Sequence, residues 1–181
     1  MYAETQRLIA TAPRRRPSSR LHRALDVLAR RLADAGTAAE AADRTQDEIW
    51  ALWMRYPDAR AAADLERATR AIVAEDYRTA EAILRRLVAV HPGFAEAWHK
   101  RGTLFYMQGR DEESVHDLHR TLILEPRHYG AILAFAEICR ASEREDAALF
   151  ALDVALRLNP HHADARRAYD ELLGRRSGPA H

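Results

Sequence analysis

The chain has 181 residues, enough for one domain to bury a core without disulfide or metal staples. Its 28 basic and 27 acidic side chains leave a net charge of +1, so the summed charge argues neither for nucleic acid nor for an acidic substrate. Cys139 is the single cysteine, which excludes an intrachain disulfide, and no run of about 18 apolar residues is present to span a bilayer.

An Ala-rich composition favours an all-helical fold, because Ala has the best helix propensity and lets helices approach closely. The first 20 residues lack the apolar stretch of a signal peptide. A cytoplasmic location is expected for the chain as given, and a periplasmic one if an export signal has been removed.

Residues 1–19 carry Arg7, Arg14, Arg15 and Arg16 against Glu4, with Arg20 next, and are expected to form a disordered basic arm. The arm has no interleaved aromatics, so it is read as a solvated tail and nucleic acid is not the expected partner. Over 20–60, Leu21, Leu25, Leu28 and Leu32 recur at helical spacing, Gly36 and Thr37 break the pattern, and a second helix runs from about Ala38 to Tyr56. This helical hairpin ends on Ile49, Trp50, Leu52, Trp53, Met54 and Tyr56 before Pro57.

Pro92, Pro126 and Pro160 stand 34 residues apart, each closing an apolar helical stretch. Pro57 misses that register by one, which makes 20–60 a degenerate repeat. In the middle unit, 95–128, Trp98, Gly102, Phe105, Ser114, Leu118 and Pro126 resemble the tetratricopeptide pattern, with Arg101 where that pattern has Leu. The third unit, 129–162, offers Ile132, Ala136, Cys139, Ala148, Leu152, Ala155 and Pro160 in the equivalent places. The first, 61–94, is looser: Ala68, Ala71, Ala80, Leu84, Leu87 and Pro92 fit, but Asp64 stands where Trp98 stands one unit later.

The resemblance implies an all-α, right-handed superhelical solenoid of three repeats at 61–94, 95–128 and 129–162. Helix pairs are expected at 61–91, 95–124 and 129–159, for about nine helices in all. Residues 163–176 are expected to form a capping helix with Ala165, Ala168, Tyr169 and Leu172 or Leu173 inward, and 177–181 to fray. The order of DEIWALW, FAEAWHKRG and LEPRHYGAI is similar to small bacterial tetratricopeptide proteins that often carry export signals.

By the family's geometry the first helix of each repeat lines a concave groove that binds a peptide or partner helix. That wall is expected to present Leu65, Thr69 and Ile72, then Glu96, His99, Thr103 and Tyr106, then Leu133, Glu137 and Arg140. A charge clamp for a C-terminal carboxylate is disfavoured, because Leu65, Thr69, Gly130 and Ala134 occupy most of its places and Lys100 alone is basic.

The alternative is a structural subunit or assembly factor docking through Trp50, Trp53 and Tyr56, on a larger complex or a second copy, since aromatics dominate interface energetics. No enzyme, cofactor or metal is expected. His116 and His119 share a helix face but lack a third ligand, and Cys139 stands at a packing position. Glu112, Glu113, Glu143, Glu145 and Asp146 sit where second helices begin and suit the helix dipole.

Overall fold

The computed structural model describes residues 1–14, 22–34 and 36–177, and among these it holds ten α-helices, one short 3-10 turn and no strand. In chain order the helices are α1 (Tyr2–Thr11), α2 (His22–Ala33), α3 (Ala39–Met54), α4 (Ala59–Val73), α5 (Tyr77–Val90), α6 (Ala95–Met107), α7 (Asp111–Leu124), α8 (Tyr129–Ala141), α9 (Glu145–Leu158) and α10 (Ala163–Ser177). No helix among the described residues is long and apolar enough to cross a membrane.

Three antiparallel hairpins, α4–α5, α6–α7 and α8–α9, form the body, and the 34-residue period reaches down to single hydrogen bonds. The backbone amides of Asp76, Arg110 and Arg144 donate five residues back to the carbonyls of Ala71, Phe105 and Cys139 at 2.9, 2.9 and 2.8 Å. This wrap closes each first helix and forces the preceding residue into the left-handed region: Glu75 at φ 58°, Gly109 at 71° and Glu143 at 57°. Of the three, Gly109 alone has no Cβ to strain.

Between hairpins, the amides of His91, Glu125 and Asn159 close the second helices onto Leu87, Thr121 and Ala155, and the proline that follows each one cannot continue the helix.

Small residues set the spacing. A Cβ on Gly102 would stand 3.3 Å from Asp117 Cβ, Leu118 Cδ2 and the Ser114 carbonyl, so α6 lies against α7 closer than a larger residue permits. The Ser114 hydroxyl donates to the Gly102 carbonyl at 2.7 Å across the same contact. Arg101 does not break the packing, because its Nε and Nη2 reach the Asp117 carboxylate at 2.6 and 2.9 Å and its guanidinium lies 4.9 Å from the Trp98 ring.

At the near end, Asp64 pairs with Arg67 and Arg86, so the outer face of α4 is ionic where α6 presents Trp98 to a neighbour. At the far end α10 covers α9 with Ala165 and Leu172 buried and Ala168 and Tyr169 half-buried, while Leu173 turns toward solvent.

Two expectations change. Residues 1–14 are not a disordered arm: α1 lies in the gap between α7 and α9, with Thr5, Ile9 and Ala12 buried and Tyr2 against Phe135. Burying Ile9 contributes on the order of 2 kcal/mol, which outweighs the solvation of a segment whose charges point outward. The remaining positions of the expected arm, and Leu21, lie outside the described residues, as do 178–181.

The second change concerns the hairpin α2–α3, which forms but does not stack as a preceding repeat. A stacked repeat would lie along the near end of the solenoid, whereas α3 reaches past α4 to α6 and α2 reaches α9. The hairpin crosses the row of turns between repeats. Tyr56 stacks on Phe94 (4.4 Å, 16°), Trp53 stacks on His128, Gln46 accepts from Asn159 Nδ2 at 2.9 Å, and His161 Nε2 meets the Asp34 carbonyl at 3.0 Å.

Candidate functional site

Of the first helices, α6 touches both α4 and α8, so the three form one layer, while α1 fills the gap between second helices on the other. Not every side chain expected on the first-helix wall is open. Leu65 is fully buried in the core of the first repeat, and Glu96 is 1% exposed, so neither meets a partner directly. Leu65 turns into its own repeat, and Glu96 lies beneath the hairpin, against His128 on which Trp53 stacks.

Thr69, Ile72, His99, Thr103, Tyr106 and Leu133 are half-buried. Thr69 and Thr103 turn their hydroxyls back to the carbonyls of Leu65 and His99, at 2.9 and 3.1 Å. Ile72 packs on the first-repeat core, and Tyr106 and Leu133 on the larger core of the second and third repeats. Glu137 and Arg140 pair at 2.7 Å near the end of α8, and Glu137, Tyr106 and Glu171 hold the Arg140 guanidinium above its ordinary range.

The three aromatics of the hairpin divide. Trp53 and Tyr56 face inward onto the inter-repeat turns, whereas Trp50 stays 47% exposed, with Lys100 Nζ 5.8 Å from its ring centroid. Trp50, Met54 and Tyr56 from the hairpin then face Ala59, Ala62, Ala63 and Thr69 of α4 across an open cleft of about 690 Å³. Arg55, Glu66 and Arg70 stand at its rim. The structure thus joins Trp50 and Tyr56 with Thr69, residues that the sequence divided between two alternative surfaces.

A larger cleft of about 1050 Å³ lies at the other edge, between α1, the α8–α9 turn and α10. It is ionic: Arg175 and Arg176 pair with Glu145 and Asp146, and Arg144 lies 4.4 Å from the Tyr2 ring.

Beneath Trp53 is a buried polar cluster that sequence reasoning missed. Glu96 accepts from His128 Nε2 at 2.7 Å and from His99 Nδ1 at 3.2 Å, with Lys100 Nζ at 3.4 Å. Burial alone would raise the Glu96 carboxyl, but these donors outweigh it and hold it well below the usual range. Burial pushes His128 down to about 4, and the ring is neutral.

Glu96, His99 and His128 are the residues, among those described, whose ligand atoms converge as a metal would require. The tautomer decides against it. His128 caps α8 by accepting the Ala131 amide at Nδ1 (3.1 Å), so its proton sits on Nε2, where it donates to Glu96 and leaves no lone pair for an ion. His162 caps α10 in the same way 34 residues later, through Ala165 N at 3.2 Å. The clue in the sequence was the repeated His at the residue before a helix, a capping position.

The other candidates separate. His119 meets Thr5 at 3.2 Å under α1, and His116 meets the Asp117 carboxylate at 3.1 Å. Cys139 is fully buried and burial pushes its thiol up to about 11, so the thiolate nucleophile does not form near neutrality.

No protein-family model matches the chain. It is similar to a curated protein of Rhizobium etli named a TPR repeat-containing protein, 29% identical over 114 residues, which is 63% of this chain and 56% of that protein. The chain therefore spans little more than half the length of that relative. Its 34-residue hairpins, the shared wrap at each first-helix end and this relative agree: among the described residues the chain is an all-helical repeat array, consistent with a tetratricopeptide-like solenoid.

Proposed function

We propose that this protein is a non-catalytic interaction scaffold that holds a segment of a partner protein in the cleft between α3 and α4. The observation that carries this reading is Trp50: a large aromatic left half exposed beside the apolar wall of Ala59, Ala62 and Ala63. A Trp side chain enclosed by a partner is among the strongest interface anchors, and here Lys100 Nζ stands over its ring, 5.8 Å from the centroid.

A partner anchors an apolar side chain beside Trp50 and meets Arg55, Glu66 or Arg70 at the rim. The α6 and α8 wall, from His99 and Thr103 to Tyr106 and Arg140, extends the contact along the groove. The alternative of docking through all three hairpin aromatics loses ground, because Trp53 and Tyr56 already pack on the turns.

The test is affinity purification from the native host with three baits: the unaltered chain, a Trp50→Ala and Thr69→Arg double variant, and Ala82→Arg on the exposed face of α5. A partner kept by the first and third baits and lost by the second supports the cleft. Retention by the double variant contradicts it.

A further inference from the structure

Where the hairpin crosses the α7–α8 turn, a cavity of about 20 Å³ is enclosed by Leu25, Leu32, Ile49, Trp53, Tyr129 and Leu158. Glu125 and Arg127 add charged groups to this lining. Glu125 is 3% exposed, and among the described residues its carboxylate accepts one long bond, 3.3 Å from the Arg127 amide. Two buried donors, Trp53 Nε1 and Arg127 Nε, have no hydrogen-bond partner among the described residues. A space of this size admits a single water, and these groups supply the two or more polar contacts such a water needs. Arg127 also fastens the hairpin: its Nη2 reaches Asp26 on α2 at 2.6 Å.

We propose that Glu125, with Arg127 and Asp26, is a protonation-controlled clasp that holds α2–α3 against the repeats while Glu125 carries a proton and loosens the hairpin when it ionises. A neutral carboxyl fits an apolar cavity beside Trp53 and leaves Arg127 to Asp26. An ionised one must draw water or the guanidinium to itself, and it repels Asp26.

Burial raises Glu125 to about 7, against Arg127, which lowers it, and with Asp26, which raises it further. Its undocked value returns toward 4.5, the ordinary one. The docked state thus binds the extra proton: its contribution is full below about 4.5 and is lost as pH rises through about 7.

The other titratable groups around the cavity are fixed or opposed. Burial holds Tyr129 neutral, pushed up to about 12, with Glu96 and Asp47 raising it further. His128 favours docking in the opposite sense, being held neutral when buried and lost to protonation as pH falls.

Because α3 supplies Trp50, Met54, Arg55 and Tyr56 to the cleft, the clasp sets one wall of the proposed binding site. That consequence rests on the cleft reading; the clasp itself does not.

Hydrogen exchange of the full chain at pH 6 and pH 8, corrected for intrinsic rates, tests the clasp without any partner. Wild type is compared with Glu125→Gln, a neutral isostere that leaves the His128 contribution common to both. The ratio of wild-type to variant opening constants for 24–54 is expected to grow on the order of 10-fold from pH 6 to pH 8. A constant ratio overturns the clasp, as does an Arg127→Gln chain whose hairpin amides stay fully protected at both values. Either result leaves the cleft reading standing.

Discussion

Trp53 lies flat on the ring of His128, with 3.9 Å between centroids and 12° between planes, and so ties the hairpin to the residue that caps the third repeat. Tyr56 does the same to Phe94, the residue one 34-residue period earlier. Removing Trp53 should therefore loosen the hairpin, at a cost of about 2–4 kcal/mol for Trp53→Ala. Trp50→Ala, at a half-exposed ring, should cost no more than about 1 kcal/mol. Urea unfolding of both variants checks the contrast; equal losses would contradict the division between packed and open aromatics.

Placing Leu, the residue of the tetratricopeptide pattern, at position 101 should be harmful. Arg101→Leu leaves Asp117, 1% exposed, with His116 but without its bidentate partner, and breaking a buried ion pair costs about 3–5 kcal/mol. Asp117→Leu together with Arg101→Leu should recover most of that loss. A single Arg101→Leu chain as stable as wild type in urea would show that the pair does not hold α6 to α7.

Glu75 and Glu143 occupy the left-handed conformation that Gly109 adopts without strain. Glu143→Gly should raise stability by about 0.5–1 kcal/mol, because the relief of Cβ strain exceeds the added chain entropy. Thermal unfolding reads the sign. A lower melting temperature would mean that the Glu143 side chain contributes more than its backbone loses.

Cys139 should react slowly with a thiol reagent in the folded chain and fast on denaturation, since it is fully buried with its thiol pushed up to about 11. Rapid native-state labelling would place it at an opening that the fold does not show.

The repeats were written into the chain because their contacts are local: Pro92, Pro126 and Pro160, Gly102 and Gly109 each act within one hairpin or on the next. The hairpin's place was not, because Trp53 meets His128, Gln46 meets Asn159 and Asp34 meets His161 across most of the chain, and no short spacing records such a meeting. That crossing also covers Glu96, which the tetratricopeptide geometry leaves open, while Leu65 turns into the core of its own repeat. In α1 the signal was present: Tyr2, Thr5, Ile9 and Ala12 fall on one helical stripe, but the arginines that follow drew the reading toward a solvated arm.

The cleft between α3 and α4 is tested most directly by a photo-crosslinking residue placed at Ala63, on its wall, or at Ala82, on the exposed face of α5, in cells of the native host. A covalent adduct of one defined mass from Ala63, absent from Ala82 and abolished by Trp50→Ala, is the expected result. An adduct formed equally from Ala82, or one from Ala63 that survives Trp50→Ala, would contradict the cleft as the site where this protein holds its partner.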